Sequence, residues 1–119
     1  MTNHEDIPYI QHIMNAIVDI ESFTKNLTKD KFLKDKLRQS AVVRQLEIIG
    51  EAVKNISGKT RKKYTEIKWK DIAGMRDKIT HHYFGINLET VWKTIKEDLP
   101  ILKKQIKDIL EKESNKENK

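Results

Sequence analysis

Arg76, Asp77, His81, His82 and Tyr83 fall within eight consecutive positions. A carboxylate beside an imidazole can fix its tautomer and raise its pKa, which suits general acid–base work. A nearby guanidinium offers a planar fork for a phosphate. Together these groups point to phosphoryl chemistry on a nucleic acid. If the stretch is helical, each residue advances by about 100°. Asp77 and His81 then share a face and can hydrogen-bond. Arg76 and Tyr83 share a neighbouring face. Arg76 and His81 lie about 140° apart, so Arg76 reaches the imidazole's partner only by wrapping round or from a second copy of the chain. The other reading of the same residues is a solvated helix end, where histidine complements the dipole without catalysis. A metal site at His81-His82 is disfavoured. Adjacent helical positions diverge, and no cysteine or third histidine is near.

The elements that would position this stretch can be read from periodicity. A third main helix is expected from about Trp69 to Tyr83, closing near Phe84-Gly85, with Trp69, Ile72, Ala73 and Ile79 facing the core. Asn87 is a good N-cap for the helix that follows. In that helix Leu88, Val91 or Trp92, Ile95, Leu99, Leu102, Ile106 and Ile109 keep an apolar stripe. Pro100 should kink it or begin a second segment. The first helix should start near Pro8 with Asp6 as its cap, and Ile10, Ile13, Met14 and Ile17 inward. Asn26-Leu27-Thr28 reads as a turn, with Thr28 capping a long second helix opened by Phe32, Leu33 and Leu37. Val42, Leu46, Ile49, Val53 and Ile56 continue it in steps of four and three. Gly50 in its middle costs about 1 kcal/mol against alanine, and close helix approach, inside the fold or across a dimer, is the expected return. Glu47 and Glu51 are one turn apart. They read as solvated, or paired with Arg44, in preference to a catalytic pair. Ser57-Gly58 should end the helix, and Thr60 to Tyr64 form a short turn.

At 119 residues with four glycines, two prolines and no cysteine, the chain reads as one all-α domain without disulfides or thiolate metal sites. The expected fold is a four- to five-helix up-and-down bundle over 1–110, with 111–119 a charged, disordered tail. No apolar run spans a membrane. The polar, acidic start does not read as a signal peptide, so a cytoplasmic location is expected. The net charge is +6, and nine basic against three acidic residues from Lys54 to Lys78 account for it. Such a block suits a polyanion, or it decorates an exposed surface with lysine.

Arg76-Asp-Lys-Ile-Thr-His81-His-Tyr83 has the form Arg, four residues, His, any residue, Tyr. It is followed by Phe84-Gly85-Ile-Asn-Leu-Glu-Thr-Val-Trp92. Upstream stand Arg44-Gln-Leu-Glu-Ile-Ile-Gly-Glu-Ala52 and Ile67-Lys-Trp-Lys-Asp-Ile-Ala-Gly-Met-Arg76. In this order the segments resemble the HepT-like branch of the HEPN domain superfamily, over Tyr9 to about Leu110.

The resemblance implies a HEPN-like helical bundle that forms a homodimer with motifs facing across a cleft. It implies a metal-independent endoribonuclease without a cofactor, the toxin of a type VII-like toxin–antitoxin pair. The implied partner is a minimal nucleotidyltransferase antitoxin that moves AMP from ATP onto Tyr83. By position, Arg76 binds phosphate and stabilises the transition state, and His81 is the acid–base residue. Asp77 is the polar residue after the arginine, and Lys78 lies in the RNA-holding block. His82 stands where relatives often carry a small residue, and would assist at the substrate or fill the cleft mouth. The competing expectation is a non-catalytic HEPN subunit that binds nucleotide or partners the nucleotidyltransferase. A helical scaffold whose motif only builds the dimer seam is a third.

Overall fold

The computed structural model describes residues 4–81 and 85–117. Three long helices carry the core: α1 (Ile7–Thr24), α3 (Lys36–Lys54) and α8 (Leu99–Glu117). Shorter ones connect them: α2 (Lys29–Lys34), α4 (Gly58–Lys63), α5 (Trp69–Ala73), α6 (Met75–Ile79) and α7 (Leu88–Lys93). The expected all-α bundle is what forms. It has more segments than four or five because three of the helices read from periodicity are divided, into α2 and α3, α5 and α6, and α7 and α8.

Helix α1 turns its isoleucines inward at 10, 13, 17 and 20, all with no exposed surface. It runs antiparallel to α3. Asp6, just before α1, bonds Ser57, just after α3, and the Phe23 carbonyl at the far end accepts from Arg38 Nε at 3.0 Å. Early α8 lies beside late α1 through Lys103 and Glu21, 2.8 Å apart. Val42, Leu46, Ile49 and Val53 of α3 and Leu102, Ile106 and Ile109 of α8 fill the core as the stripes require.

Four local expectations change. Asp6 does not cap α1: it is itself in helical conformation and makes no such bond. Its buried carboxylate instead accepts from the Ser57 N–H (3.0 Å), the Ser57 hydroxyl (2.6 Å) and the Thr60 hydroxyl. Asp6 therefore pins the start of α4 to the start of α1, and Ser57 opens α4 in place of closing α3. Burial would push the Asp6 carboxyl up, but the bonds from Ser57 and Thr60 and the charge of Arg61 together hold it below its ordinary value.

The long second helix is interrupted at Asp35, which leaves helical geometry and caps α3 by accepting from the Arg38 N–H at 3.0 Å. An aspartate competes well for this role. The break turns Leu37 outward to 79% exposure. The turn at Asn26 and the Thr28 cap form as read, with Asn26 at φ 60°.

The stripe of the last helix is kept, but its middle is a π turn over Thr94–Asp98, where the Leu99 N–H reaches back to the Thr94 carbonyl. Pro100 lies in the first turn of α8, where a missing N–H costs little. The segment 111–117, expected to be disordered, is helical. Glu113 is buried and accepts from the Tyr64 hydroxyl (2.7 Å) and Lys63 Nζ (3.2 Å), which ties this end to α4. Among the described residues no helix is long and apolar enough to cross a membrane.

Gly50 earns its place inside the fold. A Cβ there would lie 3.4 Å from the Ile72 carbonyl oxygen and 3.8 Å from Met75 Cβ. Gly50→Ala should therefore change stability by less than about 1 kcal/mol, the contact offsetting the gain in helix propensity. Gly50→Leu should cost about 1–3 kcal/mol by overpacking; denaturant titration reads both. Asp6 generates a pH prediction. Its folded pKa lies below the unfolded value of about 3.9, so its contribution is complete above that pH and lost as pH falls through the folded pKa. Asp6→Asn should lower stability at neutral pH by about 1–3 kcal/mol and flatten the loss below about pH 4. Thermal melts across pH 2–6 would show a parallel acid limb if Asp6 were not linked.

Candidate active site

Helix α6 is five residues long and sits on α3 at the glycine just described. Gly74 separates it from α5. Met75 and Ile79, one turn apart, are buried at 4% and 0% exposure. The three residues between them, Arg76, Asp77 and Lys78, are exposed. Core packing of two side chains thus decides that the Arg76 guanidinium faces solvent. Among the described residues its side chain has no ion-pair partner. Lys78 Nζ reaches Asp98 in the π turn at 3.1 Å. Both are half exposed, so the pair adds little stability.

The helix does not run to Phe84-Gly85. It stops at Ile79. Thr80 takes extended geometry, and both its N–H and its hydroxyl (2.9 Å) bond the Arg76 carbonyl. A threonine that bonds back in this way competes with continued helix, and its branched side chain suits a strand. Thr80–His81 (β1) pairs antiparallel with Gly85–Ile86 (β2), Thr80 opposite Ile86 and His81 opposite Gly85. Gly85 holds φ +90°, within this hairpin and not at a helix end. The hairpin is closed where the Asn87 N–H meets the Ile79 carbonyl at 2.6 Å. Asn87 then caps α7, as expected, by accepting from the Thr90 N–H at 3.1 Å.

The consequence for the motif is direct. Arg76 and Asp77 are on a helix and His81 is on a strand. The shared helical face of Asp77 and His81, and the angle of about 140° between Arg76 and His81, do not apply. His82 and Tyr83 lie outside the described residues.

The basic block divides into structural and available charge. Arg61 donates to the Ile56 carbonyl (3.2 Å) and the Val53 carbonyl (2.6 Å), which satisfies the end of α3. Lys54 pairs with Glu51 at 3.4 Å, so Glu51 finds Lys54 and not Arg44. Lys63 is held by Glu113 and Lys78 by Asp98. Lys59, Lys62, Lys68 and Lys70 are exposed, as Arg76 is. Residue spacing does not report which lysines a carboxylate far along the chain will claim.

Comparison with known proteins gives the family. A family model described as "Ribonuclease HepT-like" matches residues 13–109. A provisionally named RNase of Caldanaerobacter subterraneus subsp. tengcongensis is 46% identical over 106 residues, covering 89% of this chain and 95% of the relative. A protein of Thermococcus cleftensis named probable ribonuclease HepT is 48% identical over 101 residues, 85% of this chain and 90% of the relative. A Methanocaldococcus jannaschii protein, named as a gamma-glutamylcyclotransferase together with a provisional RNase, is 46% identical over 112 residues. Those span 93% of this chain and 50% of that protein. No solved structure matches the chain. The chain belongs to the HepT-like ribonuclease family.

Because Arg76 is exposed and carries no packing, Arg76→Ala should move stability by no more than about 0.5 kcal/mol. Asn87→Ala removes the cap of α7 and should cost about 1 kcal/mol. Thermal melts of both variants check the contrast. An Arg76→Ala protein less stable than Asn87→Ala would mean that the arginine holds the fold.

Proposed function

We propose that this protein is a metal-independent endoribonuclease and the toxin of a toxin–antitoxin pair. One observation carries the reading. In a chain of the HepT-like ribonuclease family, Arg76 stands exposed one turn before the strand that bears His81. A guanidinium in that position can meet a phosphate without unfolding anything.

The chemistry follows from the residue types. A base takes the proton from a ribose 2′-hydroxyl, and the 2′-oxygen attacks the adjacent phosphorus. The bond from phosphorus to the 5′-oxygen breaks, and an acid protonates the leaving oxygen. Charge builds on the non-bridging oxygens, where Arg76 stabilises it. His81 is the acid–base residue. A homodimer would present a second Arg76 and His81 across a cleft, so that one imidazole accepts a proton and the other donates one. Asp77 and Lys78 would flank the phosphate. His82 would lie at the mouth of the same cleft.

The same site suggests how the activity is silenced. A minimal nucleotidyltransferase antitoxin would transfer AMP from ATP to the Tyr83 hydroxyl, with pyrophosphate leaving. The added group brings negative charge and bulk to the motif and competes for Arg76 by the physics of phosphorylation.

Unmodified wild-type protein should cut RNA in EDTA. Arg76→Ala and His81→Ala should each slow cleavage by about a hundredfold or more, with melting temperatures preserved. Intact mass of the sample confirms that it is unmodified. Folded, unmodified protein that does not cut would place this chain with non-catalytic subunits. For the switch, Tyr83→Phe should retain toxicity in cells and escape the antitoxin. Full protection of cells carrying that variant would contradict modification at Tyr83.

A further inference from the structure

The corner where α1 passes into α2 and α3 carries charge that the motif does not use. From Lys25 to Arg38 there are six basic residues and two acidic ones. Lys25, Lys31, Lys34, Lys36 and Arg38 surround an open concavity of about 540 Å³. Asp35, the carboxylate on its wall, accepts from the Arg38 N–H and pairs with the Arg38 guanidinium at 2.7 Å. Its charge is balanced there. Lys25, Lys31, Lys34 and Lys36 are all exposed, and among the described residues none of the four has an ion-pair partner. The N-terminus of the 19-residue α3 opens at the same place and adds its positive end.

The chemistry of this concavity favours one class of partner. Protein interfaces are depleted of lysine and rich in aromatic residues, and no aromatic side chain lines it. A membrane surface needs a buried apolar face as well as charge. Leu37, between Lys36 and Arg38, is the single large, strongly exposed apolar residue of the corner. Flexible ammonium groups act as point charges for phosphates whatever the base sequence.

The corner is also joined to the hairpin. The Phe32 ring of α2 packs on Trp92 of α7, with centroids 5.3 Å apart, and Lys29 pairs with Glu89. Helix α7 begins at Asn87, whose N–H closes the hairpin on Ile79. Six residues of helix, about 9 Å, thus connect the strands beside Arg76 to the lysine corner.

We propose that the α1–α2–α3 corner is a second RNA-backbone site, which holds the strand away from the phosphate being cut. This rests on the ribonuclease reading for the identity of the polyanion. It places much of the holding charge outside the block from Lys54 to Lys78. The corner contributes affinity and no chemistry, and it does not discriminate sequence.

The test uses the full chain and a fluorescent, 2′-O-methylated single-stranded RNA that cannot be cut at the 2′-oxygen. Affinity is measured between 50 and 200 mM salt for wild type, Lys34→Ala/Lys36→Ala and the charge-matched control Lys104→Ala/Lys107→Ala on the exposed side of α8. Two lost phosphate contacts lower the salt slope by about 1.4, so the affinity lost across that range should be about sevenfold smaller in the corner variant. The control should follow wild type. On cleavable RNA the corner variant should show raised KM with kcat unchanged. Equal salt slopes for the corner variant and wild type overturn the proposal. So does binding to phosphatidylserine vesicles that the two substitutions abolish while RNA binding persists. Cleavage that needs Arg76, together with an unaltered salt response, rejects the corner alone. Absence of Arg76-dependent cleavage rejects the ribonuclease reading itself.

Discussion

The arrangement depends on how closely α5 and α6 can lie on α3. Gly50 supplies that approach, because an ordinary side chain would meet the Ile72 carbonyl and Met75. Once α6 is seated, Met75 and Ile79 are committed to the core, and the helical turn between them must present Arg76, Asp77 and Lys78 to solvent. The Ile79 carbonyl is then where the Asn87 N–H can close a hairpin. The seating of α6 thereby sets the exposure of the arginine, while Thr80 and the hairpin set where its helix ends. Mid-helix glycine is usually a liability. Here it lets a short helix lie directly on α3, where a Cβ would just fit and a larger side chain would not.

Charge follows a similar division of labour. Arg61 is spent on the open carbonyls at the end of α3, and Lys63 on a buried glutamate that anchors the end of α8. These residues look like nucleic-acid contacts in a charge count and act as structural fasteners. The lysines of the α1–α2–α3 corner look like ordinary surface decoration in the sequence. They become notable only because the break at Asp35 gathers them around one hollow. Net charge is a property of composition, while a binding surface is a property of which charges remain uncompensated after folding.

Much of the helical layout was legible in advance. Period and capping chemistry are local, so the core faces of α1, α3 and α8 and the caps at Thr28 and Asn87 could be read directly. Other features were not, and three show why. Asp6 sits where a cap belongs, yet its partners are some fifty residues away, and no local rule reports a tertiary hydrogen bond. Glu113 lies in a charged tail that composition marks as frayed, yet Tyr64 and Lys63 hold it. The helix through the motif stops early because Thr80 bonds back to Arg76 and a hairpin competes for the Ile79 carbonyl. The branched Ile79-Thr80 pair was the available signal, and the regular spacing from Trp69 onward outweighed it. Residue types and spacing single out the cluster from Arg76 to Tyr83, and the resemblance to a family assigns the roles within it. The structure adds the exposure of Arg76 and the transfer of His81 from helix to strand.

If RNA is cut by attack of its own 2′-oxygen, with an arginine and imidazoles and no metal, the new ends carry the record of it. Mass spectrometry of a short RNA cut by unmodified protein in EDTA should show 2′,3′-cyclic phosphate on one fragment and a 5′-hydroxyl on the other. Fragments ending in 3′-hydroxyl and 5′-phosphate would require water as the nucleophile and would rule out attack by the 2′-oxygen.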